Sequence, residues 1–356
     1  MIKLVLLGLV AGAFFSSTFI INELMSSAGG HWYWSASLRY LFMLLMLSII
    51  IIVQHGISRL HELTKVFIQH WLFWCLTGSI GFGLFYAGIC FAADHASGWV
   101  VASTFMFTVV ASLFVLRAFG QRFERQVIVY ALMIFLGVVL VNINEAIHAA
   151  SSATTLGTAT QPIVTTLLLG ALPALIAAFS YPIGNQLVWQ ASHNTKTVNH
   201  SQSQSQLAEQ SSALLAMAAG ATTAKKTPLL QRIPTIKTVL LGDAFNKVWL
   251  MTLGSIPFWL LLGVFLHPPL PSTSQILNTF LVALLSGVIA TSVFLFAREH
   301  AHSSKEVASV DATQASEVIF ALIGGVLLLG TPLPSLIGII GVLLIITGLV
   351  LFARSG

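Results

Sequence analysis

Asp311, Gln314 and Glu317 stand three residues apart inside an apolar run near the end of the chain. That spacing gathers them around one side of a helix, with Val318 and Phe320 facing elsewhere. Glu317 falls roughly 15 Å deep in its run, at about 1.5 Å per helical residue. A carboxylate at that depth is costly to charge, which makes it a candidate for exchanging protons or holding a substrate. Two cations stand in other apolar runs. Arg39 is expected roughly 10 Å from the nearer end of its run, and Lys247 is shallower. Either can face an anionic group or snorkel to the water. Tyr181, beside Pro182, can offer a hydroxyl, and Asn22 an amide. Such residues hold and release small ligands and protons; they do not form a bond-breaking set.

The patterns of known catalysts are absent. No G-x-x-x-x-G-K-[ST], G-x-S-x-G or H-E-x-x-H occurs, so no nucleotide or cofactor is called for. Any active transport would draw on an ion gradient or on the substrate's own. Cys75 and Cys90 fit no zinc pattern and read as small buried hydrophobes. The one cluster open to a metal reading is Glu299, His300 and His302. Asp94 and His95 mirror it elsewhere in the chain, which favours a role at a helix end.

The elements that position these residues follow from composition. Of 356 residues, 56% are hydrophobic and 8% charged, against about 25% charged in soluble domains. The mean hydropathy is +0.91. Backbone groups in lipid must pair internally, and the runs are continuous rather than alternating, so they are helices. Ten spans are expected: 3–22, 32–53, 69–93, 98–116, 126–143, 162–189, 244–266, 277–297, 307–329 and 333–353. The fold class is all-α integral membrane. The basic residues fall between spans and act as topology signals, which argues against nucleic acid as a partner.

Orientation rests on those basic residues. With the first end inside, Lys3, Arg59, Lys65, Arg117, Arg122, Arg125, Lys196, Lys225, Lys226, Arg232, Lys237, Arg298, Lys305 and Arg354 are all cytoplasmic. No Lys or Arg then falls in an external loop. Trp32, Trp34, Trp71 and Trp74 sit at span ends as interfacial anchors.

An internal repeat organises the chain. Phe91–Ser97, FAADHAS, returns as Phe296–His302, FAREHAH, 205 positions later. Five spans per half means that the second copy starts on the other side, so the repeats are inverted, an arrangement that places a site between the halves. Small residues at four-residue spacing, Gly8 and Gly12 or Ser286 and Ala290, permit close helix contact. Pro173, Pro182 and Pro257 free backbone carbonyls within spans six and seven. The units are therefore 1–143, an external Ser/Thr/Ala-rich loop 144–161, and 162–353. The second unit is interrupted by 190–243, whose Ser, Gln and Asn residues read as a flexible cytoplasmic loop.

The opening GLVAGAFFSSTFIINELMSSAGGHWYWSASLRYLFM and the closing DATQASEVIFALIGGVLLLGTPLP resemble the putative multidrug resistance efflux transporter group of the drug/metabolite transporter superfamily. The resemblance covers nearly all of the chain except 190–243. It implies a small-molecule substrate in a central cavity lined by spans one to four and six to nine. Spans five and ten would be peripheral, where two copies could pair as a homodimer, and access would alternate by rocking of the halves. The small multidrug relatives carry a proton-coupling Glu in the first helix. Here span one holds Ser16, Ser17 and Thr18, with no acid until Glu23, and Glu317 is the substitute. The reading is a multi-pass carrier of the plasma or inner membrane, both ends cytoplasmic, exporting drugs or metabolites. A metabolite or sugar facilitator stands as the alternative, and a membrane scaffold or enzyme as the rival class.

Overall fold

The computed structural model describes residues 2–118, 125–155, 163–208, 233–236, 238–301 and 304–355. Arg122, Lys225, Lys226, Arg232, Lys237 and His302 lie outside the described residues, as do the side chains of Lys196, Arg298, Glu299 and Lys305. Among the described residues every regular element is helical. Ten helices are long and apolar enough to cross a bilayer: Ile2–Ser27, Trp32–His55, Trp71–Ala93, Gly98–Ala118, Arg125–Ser151, Val164–Ala191, Ala244–Leu266, Thr273–Ala297, Ser309–Leu329 and Leu336–Arg354. They are spans one to ten below.

Their ends follow ordinary capping chemistry. The Asp243 carboxylate accepts from the Phe245 N–H at 2.7 Å and opens span seven. Ser272 accepts from the Gln275 N–H at 3.1 Å and opens span eight. Gly330, at φ 67°, closes span nine in the left-handed region that glycine adopts without strain.

Several segments differ from expectation. The helix of span five continues to Thr155, so the first part of the 144–161 loop is helical. No glycine or proline interrupts it there, and two of its polar residues are engaged. Asn144 accepts from the Ser335 N–H at 3.2 Å, and Glu145 from the Ser97 N–H at 2.9 Å. The helix Leu172–Ala208 likewise runs on from span six into the Ser/Gln-rich stretch that was expected to be flexible. Between spans two and three lies a further helix, Ile57–Gln69, whose Leu63 and Val66 are buried while Ile57 and Ile68 are exposed. Trp74 is fully buried and is no interfacial anchor, unlike the exposed Trp71.

The packing exchanges partners between halves. Span one lies on spans eight and nine, and span six lies on spans three and four. Span two lies on spans seven and eight, and span seven on spans two and three. Span four meets nine, and span five meets ten. Close approach depends on glycine. Gly81 and Gly184 put spans three and six backbone to backbone, and Gly254 of span seven lies against the Trp74 carbonyl. Gly8 and Gly12 sit beneath Thr313 and Ser316 of span nine. Such contacts replace the hydrophobic drive that lipid removes.

Spans three and eight each contain a π-helical segment, Ser79–Leu84 and Ala283–Ala290. The 205-residue offset of the FAADHAS repeat superposes the first on the second. Span four breaks at Met106–Phe107, and span nine carries a 3₁₀ turn at Thr313–Ala315. The repeated Phe–His pair takes one form in both halves. The Phe91 and His95 rings lie 4.9 Å apart and those of Phe296 and His300 4.0 Å apart, each closing a helix.

Candidate functional site

A cavity of about 1010 Å³ lies between the halves, large enough for a drug-sized molecule. Phe15, Thr18 and Phe19 of span one line it, as do Arg39, Tyr40 and Met43 of span two. Spans three, four and six to ten contribute the remainder. It reaches the face formed by Trp189, Ala244, Ala301 and Phe352, where the last span ends. Span ten is thus a lining helix at that end through Leu349, Phe352 and Ala353, although it was expected to be peripheral.

Arg39, Lys247, Tyr181, Asp311, Gln314 and Glu317 all line this cavity. Asp311 lies near the end of the helix Ser304–Ala312, Gln314 in the 3₁₀ turn Thr313–Ala315, and Glu317 in the first turn of the helix Ser316–Gly324. Glu317 is 7% exposed. Among the described residues no hydrogen bond or ion pair engages its carboxylate. Tyr181 lies tilted against Phe85, ring centres 5.0 Å apart, and Lys247 stands near the mouth, one helical turn from Ala244.

Of the two readings of Arg39, the burial favours the one that faces inward. It is 8% exposed and shares the buried face of its helix with Ala36, Tyr40 and Met43. Its guanidinium carbon lies 4.1 Å from the centre of the Tyr86 ring, a cation–π contact. Among the described residues its Nε has no hydrogen-bond partner.

Asn22 is the exception among the expected site residues. It is buried but does not line the cavity, because its Nδ2 donates to the Tyr86 hydroxyl at 3.1 Å. The amide points inward to a partner on span three. Asn185 of span six does line the cavity.

Carrying the 205-residue offset through spans four and nine pairs Met106 with Asp311, Val109 with Gln314 and Ser112 with Glu317, and all six line the cavity. Ser112 had no signal of its own in the sequence, yet the extended repeat would have found it.

The opposite face is closed by side chains. Glu23 accepts from the Gly98 N–H at 2.8 Å and from the Thr331 hydroxyl at 3.3 Å, joining spans one, four and nine. Glu145 accepts from both the N–H and the hydroxyl of Ser97, each at 2.9 Å. A smaller pocket of about 650 Å³ lies there among Glu23, Asp94, Glu145 and His148.

Comparison with known proteins shows the family. A family model described as EmrE, putative multidrug resistance efflux transporter, matches residues 2–355. "Uncharacterized protein YjlA" of Bacillus subtilis (strain 168) is 32% identical over 365 residues, 98% of this chain and 94% of its own. An uncharacterized 42.1 kDa protein encoded beside an intracellular alkaline protease in Shouchella clausii is 31% identical, over 83% of this chain and 65% of its own. A crystallised protein of 15% identity superposes with a TM-score of 0.51 over 98% of this chain and 96% of its own, a likeness of fold alone.

Proposed function

The chain belongs to the putative multidrug resistance efflux transporter family, and on that footing we propose that it is a secondary active transporter exporting small organic molecules, with Glu317 coupling flux to protons. The observation that carries this reading is the cavity itself. Both halves line it, and a buried carboxylate with no partner among the described residues faces into it. An unpaired carboxylate in a dry site is stable when protonated and must be neutralised by a ligand when charged. The charge on Glu317 then sets how well the shared cavity holds a charged substrate, which links proton and substrate movements.

The exchange of packing partners between halves supports inverted repeats, and with them alternating access by rocking. The excess of Lys and Arg on one side supports both ends being cytoplasmic, in the plasma or inner membrane. The cavity then opens inward, and Glu23 and Glu145 hold the outer face shut. Spans five and ten, packed together with lipid-facing Leu and Ile, offer a surface on which two copies could pair as a homodimer.

The test is flux in proteoliposomes, with and without a pH gradient, across cationic dyes, amino acids and aromatic acids. Gradient-driven accumulation of at least one class is expected. Equal accumulation in protein-free vesicles would overturn the reading.

A further inference from the structure

We infer that Arg39, held on Tyr86, is a subsite for the acidic group of an aromatic organic anion, so that the cavity takes aryl carboxylates or sulfonates. This deepens the transporter reading and rests on it for the cavity's purpose.

Arg39 carries a buried charge that no carboxylate balances among the described residues. Guanidinium remains cationic at any physiological pH. Burying a charge costs several kcal/mol unless an opposite charge or hydrogen bonds compensate. Arg39 is 8% exposed, and among the described residues its Nε has no acceptor and no carboxylate forms an ion pair with it. The Arg39 guanidinium carbon sits over the Tyr86 ring, 4.1 Å from its centre. A ring face offsets part of the charge without supplying the anionic partner that a buried guanidinium needs. Asn22 fixes Tyr86 by donating to its hydroxyl, which holds the arginine's platform in place.

The edge of a guanidinium matches a carboxylate or sulfonate, two donors to two oxygens. The adjoining wall defines the rest of the ligand. Tyr40 stacks with Phe82 at 5.2 Å, and Phe85 lies 5.3 Å from Phe105 and 5.0 Å from Tyr181. Flat apolar ligands gain from such ring faces. The ligand is thus an anion at one end and an aromatic ring at the other.

Three naphthalene probes of one shape separate the possibilities: 2-naphthoate, its methyl ester and the 2-naphthyl trimethylammonium cation. Equilibrium dialysis against the full chain in neutral-lipid nanodiscs, corrected for empty discs, measures each. Naphthoate is expected to bind at least about tenfold tighter than the ester, the loss of one charge-assisted pair. Arg39→Gln should erase that preference, Arg39→Lys should keep part of it, and Lys65→Gln should keep all of it. If Arg39→Gln does not fold, a preference in Arg39→Lys equal to that of the unaltered chain refutes the bidentate site. Ester or cation binding as tightly as naphthoate, or no binding of any probe, overturns the proposal. Cation flux that is independent of Arg39 would leave the transporter standing without this subsite. Naphthoate binding without flux of any solute would do the reverse.

Discussion

Asn22 and Tyr86, 64 positions apart, are joined by a hydrogen bond of 3.1 Å, and the same tyrosine ring carries the Arg39 guanidinium. Spans one, two and three therefore meet at one buried polar point. Tyr86→Phe keeps the ring and removes the acceptor, leaving the Asn22 amide unpaired. Hydrogen bonds inside membrane proteins contribute about 0.6 to 1.7 kcal/mol, so a loss of about 1 kcal/mol is expected. Thermal unfolding in detergent should show a drop of a few degrees. An unchanged midpoint would mean that the bond contributes nothing to stability.

Glu317→Gln removes the titrating group at constant volume. Proton-linked flux in proteoliposomes should fall to the level of empty vesicles, while gel filtration and unfolding temperature stay as they were. If Glu317 carries the proton, gradient-driven flux in the unaltered chain depends on pH and the Gln variant shows no such dependence. Retained, pH-dependent flux in the variant would remove Glu317 from the mechanism.

The seal at the far face depends on a glycine. A Cβ at Gly98 would stand 2.6 Å from the Phe19 carbonyl oxygen and 2.9 Å from the Glu23 carboxylate. Gly98→Ala should push span four from span one at a cost of about 1–3 kcal/mol, the range for overpacking. A cysteine placed at Ser26 should then react faster with impermeant reagents. Unchanged reactivity would show that Glu23 and Gly98 do not control access.

Two glycines give a paired stability test. Gly254 lies against the Trp74 carbonyl, whereas a Cβ at Gly242 meets nothing within 4 Å. Gly254→Val should prevent recovery of folded protein, and Gly242→Ala should change stability by less than about 0.5 kcal/mol. Similar yields of both would contradict the close crossing of spans three and seven.

Orientation can be read with single cysteines in a chain carrying Cys75→Ala and Cys90→Ala. Leu270→Cys, at a position 90% exposed beyond span seven, should react with impermeant maleimide added to whole cells. Ser58→Cys, between spans two and three, should react only after the cells are opened. The reverse pattern would place the chain's ends outside.

The ten spans were legible in the amino-acid order alone, because crossing a bilayer is a local property of length and apolarity. That order also exposed the repeat, since Phe91–His95 and Phe296–His300 keep the same helix-closing pair. The extensions of the helices to Thr155 and Ala208 escaped it, because polar Ser, Gln and Ala stretches read alike as helix or loop. Only the tertiary structure decided which intramembrane polar groups share a space. Asn22 and Arg39 both read as candidate site residues in the chain, and both meet Tyr86, yet only Arg39 also lines the cavity. That choice depends on how spans one, two and three rotate against one another. Their rotation is set by glycine contacts between distant helices such as Gly81 with Gly184, which no local pattern records.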